Sequence, residues 1–228
     1  MTVQEALTKI EVIAAASSAS HAVLAPDSAV KNYKKGEHIF FDKEETGSFY
    51  GVLAGTAAIY KMSSTFEKRG MFIYGAGALL NEESIDGKPA SVNAELLRDS
   101  QILRIRRSAF LRACVADPAL SKAFMDSMAM NIRRLYHLMK NTSNNLRGDR
   151  RIAAKLWKLS RDHGVQTEAG IEISFDLSIT ALAEFLGSQR ETVSRQVKTL
   201  CDNGLVIVKN SRFIIPNRKK LLNYFEDP

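Results

Sequence analysis

The stretch from Leu186 to Val206 has the sequence LGSQRETVSRQVKTLCDNGLV. Residues four positions apart lie on the same face of a helix, so the pairs 190/194 and 191/195 form one stripe. This stripe presents two guanidinium groups, a carboxylate and a hydroxyl, from Arg190, Glu191, Ser194 and Arg195. The opposite stripe is apolar and consists of Val193, Val197 and Leu200. The pattern predicts a helix that is buried along one face and open along the other.

Taken alone, the polar stripe allows two interpretations. It is either a solvated helix face with one exposed ion pair between Glu191 and Arg195, worth a few tenths of a kcal/mol, or a surface that binds a partner. The flanking segments decide between these interpretations, because they predict further helices and a hairpin around this helix.

The segment DRRIAAKLWKLSRDHG before it is amphipathic and ends at Gly164, and its inner face consists of Ile152, Leu156 and Leu159. The segment SITALAEFLGS has Ser178 as its helix N-cap, and its expected core residues are Leu182, Phe185 and Leu186. Gly187-Ser188 makes a tight turn into the helix of the opening stretch, which stops at Asn203-Gly204. The segment LVIVKNSRFIIP then gives two apolar strands with a Lys-Asn-Ser-Arg tip. This order predicts a winged helix-turn-helix.

The residue types on the polar stripe fit recognition of double-stranded DNA. The second helix of such a unit enters the major groove with its N-terminal residues facing the base edges. Arginine pairs bidentately with O6 and N7 of guanine, and glutamate accepts a hydrogen bond from N4 of cytosine. We therefore assign base contacts to Arg190, Glu191 and Arg195, and phosphate contacts to Lys209 and Arg212 at the hairpin tip. Gln189 and Ser194 complete the predicted DNA-binding set.

Composition bounds the class of protein. The 228 residues are 45% hydrophobic and 25% charged, which is ordinary for a globular protein, and the net charge of +7 weakly favours an acidic partner. No apolar run approaches the roughly 20 residues that span a bilayer. Glu5, Lys9 and Glu11 interrupt the N-terminal segment, which therefore predicts a short amphipathic helix rather than a secretory signal. Cys114 and Cys201 stand far apart and predict two buried thiols in a reducing cytoplasm.

Residues 30–107 predict short strands. EHIFFDKEETGSFYGVLAGTAAIYKM mixes β-branched and aromatic residues with closely spaced glycines, and RGMFIYGAGALL and SVNAELLRDSQILRIRR continue the pattern. Such strands indicate a sandwich or a small barrel, between which this pattern does not decide. Together with the helices, the pattern predicts an α+β protein.

A long helix follows the strands. Asp117 is the expected cap, Pro118 suits the first helical position, and neither proline nor glycine occurs from there to about Arg147. Gly148-Asp149 is expected to end the helix and act as a hinge. The predicted domains are therefore 1–116 with the N-terminal helix and the strands, 117–148 with the long helix and hinge, and 149–228 with the expected DNA-binding helices and hairpin.

An apolar seam runs along this helix with alternating spacings of three and four. Its members are Met125, Met128, Ile132, Leu135, Met139, Thr142 and Leu146. A helix of roughly 30 residues spans about 45 Å, too long to bury the whole seam inside one small domain. We expect the same helix of a second copy to cover it, with Met125, Met128, Ile132, Leu135 and Met139 in the interface of a homodimer. The alternative is that the seam packs on its own β domain.

These features together resemble the bacterial Crp/Fnr family of transcription regulators, from about residue 30 to 216. GSQRETVSR is similar to the Gly-x-x-Arg-Glu-Thr-Val-x-Arg signature of that family, and VLAGTAAIY looks like its glycine-centred β-roll hairpin. GALL (77–80) and KPASVNA (88–94) look like the two ends of its phosphate-binding cassette. The resemblance implies an N-terminal β-roll sensor, a long dimerisation helix and a C-terminal winged helix. It also implies a palindromic promoter site and, usually, activation of transcription with RNA polymerase.

The cassette departs from that of the cAMP-binding members. A glutamate that holds the ribose is replaced by Ala78, and an Arg-Ser pair that holds the cyclic phosphate is replaced by Lys88 and Pro89. Alanine accepts no hydrogen bond from a hydroxyl, and proline offers neither an N–H nor a hydroxyl to a phosphate. We therefore expect no cAMP binding.

The aliphatic cassette is similar to that of regulators that sense non-nucleotide small molecules, including halogenated aromatics. We expect an apolar or weakly acidic effector between the β-roll and the long helix, near Lys88 and Tyr136. Ala78, Leu79, Leu80 and Pro89 complete this predicted effector set. The alternative for Leu79, Leu80 and the methionines is a plain core role.

Other sensor types and function classes fit less well. Two lone cysteines exclude the iron–sulfur cluster found in other branches of the family. A haem-dependent gas or redox sensor stays open as an alternative, although His21, His38, His137 and His163 are isolated in the sequence. A winged-helix module that binds protein is the other alternative. We find no catalytic residues, metal-ligand spacing, Walker motif or dinucleotide glycine motif, so the protein is not expected to be an enzyme.

Overall fold

The computed structural model describes residues 1–63, 68–142 and 148–226, apart from the side chains of Met71 and of residues 138–142. The chain divides into two units. One comprises Met1–Lys61 with Met71–Ser143, and the other comprises Met62–Gly70 with Asn144–Pro228. The predicted segment 117–148 is therefore divided between the two units, with nearly all of it in the first. Among the described residues, no helix is both long enough and apolar enough to cross a bilayer.

The first unit combines short helices with two antiparallel sheets. Its helices are α1 (Val3–Leu7), α2 (Glu11–Ala14), α3 (Ser18–Leu24), α4 (Arg107–Ala116) and α5 (Pro118–Thr142), with 3₁₀ helices at Ala25–Asp27 and Glu82–Asp86. Its strands are β1 (Ser28–Tyr33), β2 (His38–Phe40), β3 (Ser48–Ala54), β4 (Ala57–Met62), β5 (Lys68–Tyr74), β6 (Leu79–Leu80), β7 (Asn93–Leu96) and β8 (Ser100–Arg106). The sheet orders are β1-β8-β3-β6 and β2-β7-β4-β5. The predicted strand region is confirmed, whereas the single N-terminal helix expected from the sequence is replaced by three short helices, α1 to α3.

Aromatic rings anchor the first part of α5 to the β-roll. Phe49 of β3, Phe110 of α4 and Phe124 of α5 are buried, with ring centres 4.9, 5.1 and 5.8 Å apart in their three pairs. Tilted and edge-to-face contacts of this kind add to the free energy gained by burial. These contacts place the N-terminal half of α5 on its own domain.

Asp117 caps α5 as the sequence predicts. Its Oδ1 accepts hydrogen bonds from the backbone N–H groups of Ala119 (3.0 Å) and Leu120 (3.2 Å). Its Oδ2 accepts from the Ser17 backbone and the Ser20 hydroxyl, both at 2.7 Å. The Ser17 backbone bond above all, then the Ser20 hydroxyl, holds the pKa of Asp117 well below its usual range. One carboxylate thus joins α3 to the start of α5.

The second unit contains the predicted helices and two hairpins. Its elements are α6 (Gly148–His163), β9 (Gly164–Thr167), β10 (Gly170–Ile173), α7 (Ile179–Leu186), α8 (Arg190–Asp202), β11 (Ile207–Lys209), β12 (Arg212–Ile215) and α9 (Arg218–Glu226). The strand order is β11-β12-β10-β9. The predicted inner residues Ile152, Leu156 and Leu159 are buried, as is Leu182. Strands β9 and β10 and helix α9 were not predicted from the sequence.

Three expectations need correction, and a fourth falls outside the described residues. Gly148 does not end the long helix but begins α6, and a Cβ there would lie 1.9 Å from Gln196 Nε2, so the glycine permits a close approach. The expected continuation of the long helix through 143–147, including Leu146, lies outside the described residues. Phe185 and Leu186 are half-buried rather than core residues. Cys114 and Cys201 are free and also half-buried, although burial raises the pKa of both thiols.

Candidate nucleic-acid interface

The turn between α7 and α8 is built by local sequence signals. Ser178 caps α7 by accepting a hydrogen bond from the Ala181 backbone at 3.0 Å, as predicted. Gly187 ends α7 in the left-handed region (φ 58°, ψ 44°), which glycine adopts without steric cost. The Ser188 N–H then donates to the Ala183 carbonyl at 3.0 Å and closes the turn. The chain is thereby redirected into α8 within two residues.

Helix α8 divides into the two predicted faces. Its apolar residues Val193, Val197 and Leu200 are buried. Its polar stripe is exposed along with the preceding residue, and the exposed set is Gln189, Arg190, Glu191, Ser194 and Arg195. Among the described side chains, no ion pair joins Glu191 to Arg195, so the exposed pair expected for a merely solvated face is not formed. Both charged groups are therefore available to a partner.

The start of α8 adds backbone donors to this surface. Gln189 occupies the cap position with extended backbone angles, and its side chain makes no capping hydrogen bond. The first N–H groups of a helix lack partners within the helix, and they favour anions such as phosphate. Arg190 and Glu191 therefore lie at the helix end whose backbone N–H groups lack partners within the helix.

The wing is a tight hairpin. Lys209 pairs with Arg212 in the register of β11 and β12, and the two intervening residues, Asn210 (φ 50°) and Ser211 (φ 59°), are both left-handed. Two left-handed residues form the turn type that matches strand twist. Lys209 is exposed at this tip, as its predicted phosphate contact requires.

Arg212 differs from Lys209. Its Nε donates to Asp176 Oδ1 at 2.7 Å, and its Nη1 donates to Glu172 Oε1 at 3.2 Å. Two carboxylates therefore offset its charge and direct its planar donor group back into the domain. Its phosphate contact stays a prediction, and the structure gives it a role in holding the wing that the sequence did not indicate.

The predicted effector residues differ in burial within one chain. Leu79 and Leu80 are buried in separate core clusters, in agreement with the alternative core role. Ala78 is half-buried, and Pro89 is exposed. Lys88 is exposed and its Nζ lies 3.2 Å from Asp86 Oδ2. Tyr136 is 67% exposed on α5.

A partly buried polar network in the first unit was missed from the sequence. The Tyr74 hydroxyl donates to Asn131 Oδ1 at 3.2 Å, and Asn131 Nδ2 donates to Glu82 Oε2. Glu82 is 5% exposed, and its Oε1 has no hydrogen-bond partner among the described residues. Burial raises the pKa of Glu82 and raises that of Tyr74 to about 12. The three residues lie far apart in the sequence, so no local signal linked them.

The guanidinium of Arg134 extends this network. It lies 5.2 Å from the Tyr74 ring centre and 5.7 Å from the Phe72 ring centre. A cation over an aromatic face is attracted by the ring quadrupole. Asn131 and Arg134 are three positions apart on α5, so one helix face carries both contacts.

The expected dimer residues separate into two groups. Met125, Ile132 and Leu135 are 61%, 47% and 38% exposed. Met128 is half-buried and packs against the core of its own domain. This contact agrees with the alternative that the seam packs on its own β domain. The side chain of Met139 lies outside the described residues. The outward part of the seam is therefore uncovered within one chain.

Three of the four histidines have structural partners, and the ring centres of His163 and Phe175 lie 5.8 Å apart in an edge-to-face contact. The buried His21 ring is 2.9 Å from the Ile13 carbonyl oxygen, and His38 Nε2 is 2.8 Å from the Tyr60 hydroxyl. Among the described residues, no group of three or more His, Cys, Asp or Glu side chains is arranged to hold a metal ion.

Comparison with known proteins places this geometry in context. The cyclic nucleotide-binding domain family matches residues 30–117, and the Crp-like helix-turn-helix domain family matches residues 150–224. The chain belongs to the Crp/Fnr family. The resemblance noted from GSQRETVSR and the β-roll cassette is thus confirmed, and so is the winged-helix fold of the DNA-binding unit.

Relatives across the family share this architecture at low identity. A CRP-like cAMP-activated global transcriptional regulator of Mycobacterium tuberculosis is 23% identical over 198 residues, covering 83% of this chain and 85% of the relative. An anaerobic regulatory protein of Bacillus subtilis is 23% identical over 209 residues, covering 90% and 87%. The structure of FixK2 from Bradyrhizobium japonicum superposes with a TM-score of 0.75 at 22% identity, covering 86% of this chain and 96% of that one. The Mycobacterium tuberculosis relative is named as a transcriptional regulator and the Bacillus subtilis relative as a regulatory protein.

Proposed function

We propose that this Crp/Fnr regulator is a homodimer that binds an inverted-repeat promoter site in response to a non-nucleotide small molecule. The observation that carries the DNA-binding part is the division of α8. Its apolar stripe is buried in the domain, while Arg190, Glu191 and Arg195 are exposed without pairing among themselves. These residue types match the base edges of the major groove.

The uncovered seam of α5 supports the dimer. Met125 and Ile132 are two turns apart on one face and both are exposed, with Leu135 beside them. Their alignment suits packing against the same seam of a second copy, which buries both. Two recognition helices related by a two-fold axis then read half-sites about one helical turn, or roughly 34 Å, apart. Family similarity suggests a TGTGA-like half-site.

Selection from random DNA tests this proposal. We expect an inverted repeat, and we expect binding to the selected site to weaken steeply as salt rises, because released counterions drive the association. A direct repeat would contradict the proposed dimer geometry. Absence of DNA binding at low salt would instead favour a winged-helix module that binds protein.

The cassette supports an effector other than cAMP, although one relative is named as cAMP-activated. Ala78 has no acceptor for a ribose hydroxyl, Pro89 has no donor for a phosphate, and Lys88 pairs with Asp86 at the surface.

Two measurements test the effector assignment. We expect millimolar cAMP to leave the melting temperature unchanged, because a ligand that binds only the folded state would raise it. Native mass spectrometry of the purified dimer should reveal any ligand carried through purification. A cAMP-dependent rise in melting temperature would overturn the non-nucleotide proposal, and a bound haem would favour the gas-sensor alternative.

We also propose that the protein activates transcription through RNA polymerase in the cytoplasm. In vitro transcription from the selected site tests this activation.

A further inference from the structure

One face of α6 contacts each part of the helix-turn-helix. Gly148, Arg151 and Lys155 lie at positions i, i+3 and i+7 and therefore share a stripe. Gly148 meets α8, Arg151 meets the turn, and the Nζ of Lys155 lies 5.1 Å from the ring centre of Phe185 in α7. This stripe of α6 thus contacts α7, the turn and α8.

Arg151 ties the turn to α6. Its Nη2 donates to the Ser188 hydroxyl at 2.5 Å, and Ser188 directly precedes Gln189, the cap of α8. The Nε of Arg151 is buried and has no hydrogen-bond partner among the described residues. At this atom the guanidinium has lost its contact with water, while its Nη2 contacts Ser188. A planar guanidinium offers its donors in a fixed geometry, which a lysine does not reproduce.

Gly148 brings the first turn of α6 against the recognition helix. A Cβ at this position would lie 1.9 Å from Nε2 and 2.6 Å from Cδ of Gln196. Gln196 directly follows Arg195, one of the proposed base-reading residues. Gly148 is the first residue of α6, so it is the N-terminal turn of this helix that makes the close approach to Gln196.

We propose that Arg151 and Gly148 are positioning residues, which orient α8 through Ser188 and Gln196 so that its side chains meet the correct base edges. This inference rests on the proposed operator binding. Base recognition is sensitive to orientation because bidentate contacts need both hydrogen bonds in line. The Gly148 contact connects the first turn of α6 to the recognition helix α8.

A double-mutant cycle tests the Arg151 contact. The variants are Arg151→Met, Ser188→Ala and their combination, with Arg161→Met as a matched loss of charge from the same helix. For each, affinity is measured on the selected operator and on single-base variants at several salt concentrations. We expect each single change to lower base discrimination by about tenfold. If the two residues act through one contact, the double change should also lower it by about tenfold in total, whereas independent effects would give about a hundredfold.

The salt dependence separates positioning from a phosphate contact. A positioning role leaves the slope of log affinity against log salt unchanged in Arg151→Met, as in the Arg161→Met control. Arg151→Lys should lose discrimination too, because it keeps the charge but not the planar donor group. A slope that falls by about 0.9 in Arg151→Met, together with full affinity in Arg151→Lys, would overturn the inference in favour of a direct phosphate contact.

Gly148 is tested by rescue. Gly148→Ala should lower discrimination, and Gly148→Ala combined with Gln196→Ala should restore it, because the second change removes the obstructing amide. Thermal melts and circular dichroism establish that each variant is folded. Unchanged discrimination in every variant, with wild type binding its operator normally, would overturn this inference alone. A wild type that binds no DNA would overturn the proposed function and this inference with it.

Discussion

Lys209 and Arg212 face each other across the wing, and the structure predicts opposite consequences for their loss. Both were assigned phosphate contacts from the sequence. Lys209 is exposed, whereas Arg212 forms ion pairs with Asp176 at 2.7 Å and Glu172 at 3.2 Å. We therefore expect Lys209→Ala to act on DNA binding and Arg212→Ala to act mainly on the stability of the domain.

The size of the Lys209 effect follows from counterion release. Each phosphate contact contributes about 0.9 to the slope of log affinity against log salt. Between 50 and 200 mM salt, a fourfold change, the loss of one contact therefore changes the salt-dependent fall in affinity by about 3.5-fold. The effect should be equal on the operator and on unrelated DNA, because phosphates carry no sequence information. The melting temperature of Lys209→Ala should match that of wild type.

The size of the Arg212 effect follows from its two partly exposed ion pairs. Such pairs typically contribute about 0.2–1 kcal/mol each, so Arg212→Ala should lower the free energy of unfolding by roughly 0.5–2 kcal/mol. Its salt slope should stay near that of wild type, because the arginine charge is already balanced by carboxylates. Arg212→Lys, which keeps the charge but not the bidentate geometry, is the matched control and should be intermediate in stability.

The assay is fluorescence anisotropy with a labelled operator and with unrelated DNA, at four salt concentrations, alongside urea unfolding of each variant. If Arg212→Ala lowers the salt slope as much as Lys209→Ala and leaves unfolding unchanged, the argument from its ion pairs is wrong. The sequence-based assignment of Arg212 to a phosphate would then be correct.

Three further predictions follow from the other sites. Ile132→Asp with Leu135→Asp should give monomers by analytical ultracentrifugation, because charges would enter an apolar seam; a wild type already monomeric at micromolar concentrations with and without DNA would contradict the dimer. Burial raises the pKa of Glu82 in the folded state above its ordinary value of 4.5, so the free energy of unfolding of the wild type should fall as the pH rises from 4.5 through the folded-state pKa. Glu82→Gln should remove this fall and have a higher melting temperature than the wild type at pH 7. A lower melting temperature for this variant would show that the folded protein stabilises the carboxylate. Arg195→Ala should cost about 1–3 kcal/mol on the operator and relax one base pair, while Glu191→Ala should raise non-specific affinity as discrimination falls; unchanged base preference in both would mean that α8 does not read the groove.

Local patterns determined the helices and the DNA-reading surface. The spacing of Val193, Val197 and Leu200 places one apolar stripe toward the core. The geometry of a helix then places the polar residues between them on the opposite, exposed face. Ser178, Gly187 and Asp117 act on backbone groups within a few residues, so their roles as caps and turns were predictable from sequence. The proposed base-reading residues lie on a single element, so their shared exposure was predictable from their spacing alone.

Tertiary structure decided the features that join distant segments. Arg212 was assigned to phosphate from its position at a hairpin tip, but Asp176 and Glu172 reach it from other elements. Gly148 has the form of a helix terminator in sequence, yet its proximity to Gln196 gives it a packing role. The network of Tyr74, Glu82 and Asn131 likewise exists only after a strand, a 3₁₀ helix and α5 meet. Sequence periodicity determines which face of an element is apolar, whereas a hydrogen bond between elements depends on distances that the folded chain alone establishes.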